Sequence, residues 1–356
     1  MADTNFERWA TRLSFAARQG SRVAWYAGQG VAMRRMVRRI DKEAPDQRPK
    51  IRPPTTPVPN LQRLLRDVAA LMKRDLANVE AGLYPMPQDE EGGLAGLLAR
   101  SRAFFRDVPE VARRRRTGAH QEVHEEAPGN RPRYYLQNFH FQSGGWMTEE
   151  SAEIYDTQVE VLFNGAANAM RRQALVPLAE AIRGRDQRKM AFADIACGTG
   201  SFMAQVRRAF PRLPSLAIDL SEPYVQEAGR RVGRAPRAHG VVAKAESLPL
   251  ADASLDMASC IYLFHELPPK VRREVAREIG RVIRPGGLFV FVESLQTGDN
   301  PAYDGLLELF PQLFHEPYYT SYLGEDLEAI FGEAGFTLES STNAFFSKVV
   351  TFRRAG

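Results

Sequence analysis

Two aspartates and two glycines form the densest group of chemically capable residues in the chain. The stretch ADIACGTGSFM contains Asp194, Gly198 and Gly200, and Asp219 ends the next apolar run. Glycines let the backbone approach a ligand closely, and the start of a helix favours anions. The spacing therefore predicts a ligand with a carboxylate for the helix start, an amino group for Asp194 and ribose hydroxyls for Asp219.

One position separates the candidate ligands of this glycine turn. A dinucleotide-binding turn has a third glycine three residues after the second, whereas this chain has Met203 there. Together with Asp194, that difference favours S-adenosylmethionine over NAD. Asp219 does not discriminate between them, because both ligands carry a ribose. A tight turn that holds no ligand is the remaining alternative.

Around this turn, short apolar runs alternate with helical patterns. The alternation predicts an α/β fold, a doubly wound and mostly parallel seven-stranded sheet with a helical N-terminal extension. A helix is expected over 166–183, and Asn60 and Thr148 are expected to cap helices. The last two strands are close enough in sequence to pair as an antiparallel hairpin. Ligands of such sheets bind beyond the carboxyl ends of the strands, where Asp194 and Asp219 lie.

Several sequence blocks resemble the class I S-adenosylmethionine-dependent methyltransferases. They occur in the family's order and are DIACGTG, AIDLSEPYV, AESLPLADASLD, IYLFHELPP and REIGRVIRPGGLFVFVES. Within this class, the region from about residue 150 to the end is similar to the ubiquinone and menaquinone C-methyltransferases and their small-molecule relatives. The resemblance implies a Rossmann-like fold with S-adenosyl-L-methionine as the cofactor. It does not extend to the first 130 or so residues.

The resemblance also implies which residues bind the cofactor. The glycine turn would hold the methionine part, Asp219 and Leu220 the ribose and adenine, and Ala245 with Glu246 the adenine edge. The family often has an acid just before this alanine, but this chain has Lys244, which cannot accept a hydrogen bond from the adenine amino group. Either Glu246 or a main-chain carbonyl would replace it. The complete expected set is Asp194, Ala196, Gly198, Gly200, Asp219, Leu220, Ala245, Glu246 and Tyr262.

The segment YLFHELPP, after the predicted fourth strand, contains the candidate catalytic residues. Methyl transfer from a sulfonium is an in-line displacement, so the protein aligns the reactants and removes a proton where the acceptor requires it. His265 has an ordinary pKa suited to a general base near neutral pH, and Glu266 is adjacent. The alternative role for His265 is to hold its loop by hydrogen bonds.

Aromatic residues cluster on both sides of the predicted sheet region and are the candidates for an acceptor pocket. Aromatic faces suit a sulfonium cation and a flat apolar molecule, although ordinary core packing is the alternative for each residue. We therefore expect a hydrophobic small-molecule substrate that is quinol-, phenol- or lipid-like. His140 and His315 lie within these clusters as secondary candidates. The expected pocket residues are Tyr135, Phe139, Trp146, Tyr155, Phe314, Tyr318 and Tyr322.

Composition narrows the classes of partner. The formal net charge is +5, and Cys197 and Cys260 are the only cysteines, with no histidine at ligand spacing. We therefore expect no disulfide framework, no metal and a reducing, cytoplasmic location. Nucleic acid is not an expected partner, because the predicted catalytic half is not basic and lacks the Asn/Asp-Pro-Pro-aromatic signature. The sequence does not indicate an oligomeric state.

The chain divides into four predicted regions. Residues 1–43 form a basic amphipathic helical segment, 44–60 a Pro-rich linker, 61–147 a helical cap region and 148–356 the methyltransferase domain. The first segment is expected either to dock on its own protein or to contact an anionic membrane surface through residues 1–40. The alternative function is a non-catalytic S-adenosylmethionine-binding protein whose N-terminal helices form an interaction module.

Overall fold

A seven-stranded sheet forms the centre of the protein, in a computed structural model that describes residues 2–43, 51–89, 92–123, 131–233 and 237–356. Its strands are β1 Phe192–Ile195, β2 Ser215–Asp219, β3 Ala238–Val242, β4 Leu255–Ile261, β5 Ile283–Ser294, β6 Phe336–Ala344 and β7 Ser347–Arg354. Their order is β3-β2-β1-β4-β5-β7-β6, and β7 runs antiparallel to both of its neighbours. The remaining pairs are parallel. The predicted doubly wound, mostly parallel sheet is confirmed, with a mixed edge.

Helices pack on both faces of this sheet. Met257 and Val290 belong to one buried apolar cluster, whereas their neighbours Ala258 and Phe289 belong to another. Successive strand residues point to opposite faces, so each face has its own core. The helices are α1 Ala2–Glu43, α2 Leu61–Glu80, α3 Gly93–Thr117, α4 Glu149–Leu162, α5 Ala167–Arg172, α6 Leu175–Ile182, α7 Ser201–Ala209, α8 Glu222–Val232, α9 Pro269–Val282, α10 Asp304–Leu313, α11 Tyr319–Leu323 and α12 Leu327–Glu333.

Local sequence sets several helix ends. The side chains of Asn60 and Thr148 each accept a hydrogen bond from the backbone three residues on, as predicted for N-caps. The helix predicted over 166–183 is instead two helices, α5 and α6, and in this respect the prediction was wrong. Pro177 explains the break, because it has no N–H to donate to the Gln173 carbonyl and its ring excludes that oxygen.

The first helix does not carry the apolar stripe expected of an amphipathic helix. The apolar side chains of Trp9, Leu13 and Val31 are exposed. Instead, a stripe of both polar and apolar side chains faces the rest of the protein. Its residues are three or four positions apart, which places them on one side of the helix. The buried stripe is Phe15, Gln19, Arg22, Tyr26 and Gln29. The helix therefore docks on its own chain through polar as well as apolar contacts.

Buried ion pairs attach the N-terminal helices to the sheet. Arg172 of α5 donates to Asp75 of α2 at 2.7 Å and to Asp89 at 2.5 Å. Arg22 of α1 lies 2.6 Å from Glu160 of α4. These side chains are at most 3% exposed. A buried charge that loses its partner is strongly unfavourable, so these pairs hold α1 and α2 in place.

The described part of the Pro-rich linker, residues 51–60, is tied to α10. The Thr55 backbone N–H and hydroxyl donate to the two carboxylate oxygens of Glu308, at 2.6 and 2.7 Å. The other part of the predicted linker, 44–50, lies outside the described residues. These bonds hold the segment before α2 against α10, the helix that follows β5.

Candidate active site

A cleft lies beyond the carboxyl ends of β1, β2 and β4. Ala196 follows β1 and Tyr262 follows β4, and both have left-handed backbones, with φ of 57° and 58°. Such conformations are rare outside glycine and concentrate at functional sites. We call this space the strand-end cleft; its lining residues are Tyr134, Tyr135, Phe139, Trp146, Tyr155, Ile195, Ala196, Gly198, Ile218, Asp219, Leu220, Tyr224, Ala243, Ala245, Glu246, Ile261, Tyr262, Leu263, Glu266 and Leu267.

The two glycines of the turn after β1 have different roles. Gly198 lines the cleft, and its backbone N–H donates to Asp219 at 2.9 Å. Gly200 lies away from the cleft wall and precedes α7 with φ of 78°. A Cβ at Gly200 would lie only 2.7 Å from the Cβ of Ala228 in α8. Gly200 therefore shapes the turn by allowing α7 and α8 to approach closely.

The two predicted aspartates are both buried, but only one reaches the cleft. Asp219 lines it and accepts hydrogen bonds from the backbone N–H groups of Gly198 and Ser221, at 2.9 and 2.8 Å. Burial raises the pKa of Asp219, and these donors oppose that shift. Asp194 stays behind the wall, where it accepts a hydrogen bond from the Ser259 hydroxyl at 2.7 Å. Burial raises the pKa of Asp194 to about 7.

Asp156 of α4 anchors the glycine turn, and sequence reasoning missed it. Its carboxylate accepts hydrogen bonds from the hydroxyls of Thr199 and Ser201, at 2.6 and 2.7 Å, and lies 2.5 Å from Arg231. Burial opposes ionisation, but the charge of Arg231 and the hydroxyl donors hold the pKa of Asp156 at about 2. Nothing local distinguishes this helical acid from a surface one, so the sequence offered no signal for it.

Aromatic side chains form the outer wall of the cleft. Four residues predicted for the substrate pocket line it, namely Tyr135, Phe139, Trp146 and Tyr155. Phe139 and Trp146 are stacked, with ring centroids 4.2 Å apart. The Tyr134 hydroxyl donates to Glu246 at 2.8 Å, which orients the carboxylate expected at the adenine edge. The cleft thus combines flat apolar surface with polar groups at its floor.

His265 lies behind the cleft rather than on its wall. Its Nδ1 is 2.6 Å from a carboxylate oxygen of Glu293 in β5, and that carboxylate also accepts the Phe264 backbone N–H at 2.8 Å. Burial lowers the pKa of His265, but the charge of Glu293 raises it well above its ordinary value. The pair holds the loop after β4. Glu266, the other candidate catalytic residue, does line the cleft.

Three further residues predicted for the pocket lie outside the cleft. The Tyr322 side chain is fully buried and donates to the Ser294 carbonyl at 2.5 Å. The Tyr318 carbonyl accepts a hydrogen bond from Arg272 at 2.8 Å. These two tyrosines therefore position α11. Phe314 contributes to a different cavity.

That second cavity is largely apolar and adjoins the strand-end cleft. Tyr155 lines both spaces. Two walls come from α1 and α3, helices that precede the predicted methyltransferase region. We call this space the apolar cavity; its lining residues are Met33, Val37, Phe104, Asp107, Val108, Val111, Ala112, Arg115, His140, Phe141, Gln142, Tyr155, Gln158, Val159, Val161, Leu162, Leu313 and Phe314.

A small ionisable group lies where the two spaces adjoin. His140 lines the apolar cavity and Glu266 the strand-end cleft. The His140 Nε2 is 3.4 Å from Glu266 and 2.9 Å from Glu316. Burial lowers the pKa of His140, but the two carboxylates raise it to about 10. Sequence reasoning did not bring these residues together, because they come from three distant segments.

Comparison with known proteins agrees with this architecture. Residues 192–287 match the methyltransferase domain family. A ubiquinone/menaquinone biosynthesis C-methyltransferase of Desulfotalea psychrophila is 28% identical, over 59% of this chain and 80% of its own length. A sterol 4-C-methyltransferase of Caenorhabditis elegans is 30% identical, over 30% and 31%. A 23S rRNA (guanine(748)-N(1))-methyltransferase of Streptomyces fradiae is 32% identical, over 38% and 45%.

The chain therefore contains a class I S-adenosylmethionine-dependent methyltransferase domain, and S-adenosylmethionine is the cofactor of that domain, as the glycine turn predicted. The names of these relatives refer to ubiquinone and menaquinone biosynthesis, to a sterol and to a 23S rRNA guanine, so they define no common acceptor. The chain spans about one third to two thirds of the length of several curated relatives that it matches.

The residues of the strand-end cleft fit this cofactor. Asp219 lines the cleft with a carboxylate, a group that accepts hydrogen bonds from ribose hydroxyls. The backbone after Gly198 leads into the start of α7, which suits the carboxylate of the methionine part. The aromatic face of Tyr155, at the boundary with the apolar cavity, suits a positively charged sulfur.

Proposed function

We propose that this protein transfers a methyl group from S-adenosylmethionine to a hydrophobic or aromatic small molecule. One observation carries the proposal: the strand-end cleft adjoins the apolar cavity, and Tyr155 lines both. Small-molecule sites are concave and mostly apolar with a few polar groups, and the apolar cavity has this character. A quinol-, phenol- or lipid-like acceptor has the chemistry that such a cavity accepts.

The chain's own residues would mainly bind and orient the reactants. Asp219 would hold the ribose, the turn from Ala196 to Gly200 the methionine part, and Ala245 with Glu246 the adenine edge. When bound, the cofactor supplies a methyl group already activated on a sulfonium, so alignment contributes most of the rate enhancement. Gly200 and Asp194 would act indirectly by shaping the turn and the end of β1.

Of the two predicted catalytic residues, Glu266 is the one that can touch an acceptor. It lines the strand-end cleft and lies within ion-pair distance of His140, which lines the apolar cavity. We therefore expect Glu266 to contact the polar end of the acceptor. His265 would be a positioning residue, because its bond to Glu293 fixes the turn that carries Glu266.

Two measurements test this function. Calorimetry should show binding of S-adenosylmethionine and no binding of NADH, and Asp219→Ala should abolish the signal. Incubation of the protein and labelled cofactor with a native extract should place the label in the organic-solvent fraction. Label found solely in protein or nucleic acid would refute the small-molecule acceptor. Cofactor binding without any transfer would favour the non-catalytic alternative.

Membrane contact through residues 1–40 is a separate proposal. The described helices include none that is long and apolar enough to cross a membrane. Trp9 and Leu13 are 59% and 50% exposed on a helix rich in arginine, a combination found on membrane-surface helices. Liposome flotation of the wild type and a Trp9→Ser/Leu13→Ser variant tests the contact. Equal behaviour of the two proteins on anionic vesicles would reject it.

A further inference from the structure

We infer that His140, Glu266 and Glu316 form a binding site for one divalent transition-metal ion, with Zn²⁺ as its probe. One nitrogen and two carboxylate oxygens from these residues lie within 4.8 Å of one another. The group lies at the junction of the strand-end cleft and the apolar cavity, where the polar end of an acceptor would lie. The cysteine spacing that led the sequence to predict no metal does not detect sites of this kind.

The distances suit such an ion. Zinc holds nitrogen and oxygen ligands at about 2.1 Å, so two ligands of a tetrahedral site are separated by roughly 3.4 Å. The His140 Nε2 is 3.4 Å from Glu266 and 2.9 Å from Glu316. The three side chains would therefore need only small shifts to share one ion.

Unpaired carboxylate oxygens provide an independent observation. The Oε2 atoms of both Glu266 and Glu316 are buried and have no hydrogen-bond donor among the residues that the structure describes. The Glu316 side chain is fully buried, and that of Glu266 is 6% exposed. Buried polar atoms are normally paired, because an unpaired one loses its hydration without compensation. A cation held between the two carboxylates would supply the missing interaction.

Charge balance leads to the same conclusion. His265 lies 3.5 Å from Glu266 and 2.6 Å from Glu293, so the buried group contains three carboxylates and two imidazoles. A divalent cation bound between Glu266 and Glu316 would offset the charges of these two buried carboxylates. Buried charges persist when they are paired in this way or coordinate a metal.

The chain also holds the candidate ligands in place before any ion arrives. The backbone N–H of His140 donates to the His315 carbonyl at 3.2 Å, which fixes His140 beside Glu316. His140 also has a left-handed backbone, with φ of 55°, within the Phe139–Phe141 turn. Ligands restrained by neighbouring contacts bind metals more tightly, because less freedom is lost on binding.

The donor set points to a transition metal rather than to magnesium. Imidazole with carboxylates suits zinc and related ions, whereas Mg²⁺ prefers an all-oxygen shell. Three protein ligands leave a fourth position for a small molecule. In the proposed function, the ion would polarise an oxygen of the acceptor, so that role, unlike metal binding itself, rests on the proposed function.

The test uses the full-length chain, freed of metal by a chelator and titrated with Zn²⁺ against a chromophoric competitor. We expect one ion per chain, no competition from equimolar Mg²⁺, and a rise in Tm on adding Zn²⁺. His140→Gln and Glu316→Gln should each weaken binding by more than about 100-fold, beyond what loss of an outer-shell partner costs. The control His239→Ala removes an exposed imidazole on β3 and should retain wild-type affinity.

Two outcomes would overturn the site. One is the absence of stoichiometric Zn²⁺ binding by the wild type, a result that does not depend on any variant folding. The other is wild-type affinity in folded His140→Gln, a variant whose amide group keeps a hydrogen-bond donor beside the two buried carboxylates. Because neither cofactor nor acceptor is present, failure of methyl transfer in other assays leaves this measurement unaffected.

Discussion

The strand-end cleft and the apolar cavity differ in how far apart in sequence their lining residues lie. The floor of the cleft comes from residues at or just after the ends of β1, β2, β3 and β4, so each polar group belongs to a contiguous sequence block. The apolar cavity takes its walls from α1, α3, α4 and α10, which are distant in sequence. The cofactor side of the molecule is therefore encoded by motifs, and the acceptor side by long-range packing. Substitutions on the two sides should separate cofactor binding from acceptor binding.

The largest expected effect is on the attachment of the N-terminal helices to the sheet. Asp75→Ala would leave the buried Arg172 guanidinium without its main partner, which costs about 3–5 kcal/mol of unfolding free energy. Denaturant unfolding measures this loss. Glu339→Ala, which breaks the exposed pair with Arg353, is the matched control and should cost less than about 1 kcal/mol. Similar costs for the two variants would contradict the role assigned to the buried pairs.

A side chain at the glycine turn should impair the cofactor side alone. Gly200→Val forces a branched residue into φ of 78° and against Ala228. Strain of about 1–3 kcal/mol would weaken S-adenosylmethionine binding by roughly 10- to 100-fold. Calorimetry checks this, with Gly229→Ala as the control because a Cβ there meets no atom within 4 Å. Unchanged cofactor affinity in Gly200→Val would show that α7 and α8 need not approach closely.

Filling the apolar cavity should impair the acceptor side alone. Val108→Trp adds bulk to the wall of the apolar cavity, which includes no residue of the glycine turn. Overpacking costs about 1–3 kcal/mol, so we expect the acceptor KM to rise about tenfold. The cofactor Kd should not change. Leu94→Trp, at a position 67% exposed on the same helix, should leave both constants unchanged. A changed cofactor Kd in Val108→Trp would show that the two spaces are not separable.

The smallest expected effect is a pH dependence of cofactor binding through Asp194. Its folded pKa of about 7 lies above the unfolded value, so the cofactor-free protein loses stability as pH rises from about 4 to 7. A cationic amino group nearby favours the ionised carboxylate, so binding should release a proton and tighten over this range. Calorimetry in buffers of different ionisation enthalpy measures the proton. Asp194→Asn should abolish the release, and persistence of the release in that variant would exclude Asp194 as its source.

The contrast between local motifs and long-range packing also explains which parts of the fold and the site could be predicted from the sequence. Asp219, Gly198 and Glu266 could be placed at one edge of the sheet, because strand ends are set by local alternation and parallel strands share an edge. The mostly parallel seven-stranded sheet and the antiparallel pairing of its last two strands followed from the alternation and the resemblance. In contrast, Asp156 looks like a surface acid until α4 packs against the glycine turn. Its role depends on tertiary contacts that no window of sequence contains.

The interior of the N-terminal region could not be predicted for a related reason. A reader of α1 expects apolar side chains inside, yet Gln19 and Arg22 are buried while Trp9 and Leu13 are exposed. The polar stripe is stable only because Glu160 and Asp89 come from elsewhere in the chain. His140, Glu266 and Glu316 show the same limit, since the sequence pointed to the first two separately and gave no sign that the three side chains meet.

The pairing of Arg22 with Glu160 has a consequence for synthesis of the chain. Helix α1 leaves the ribosome before α4, so Arg22 of its inward stripe lacks Glu160 until α4 has also emerged. Domains fold during translation at about 5–20 residues per second, so α1 would wait several seconds with a charged face open to solvent. Its arginines and glutamines keep that waiting helix soluble, whereas an apolar stripe would expose it to aggregation.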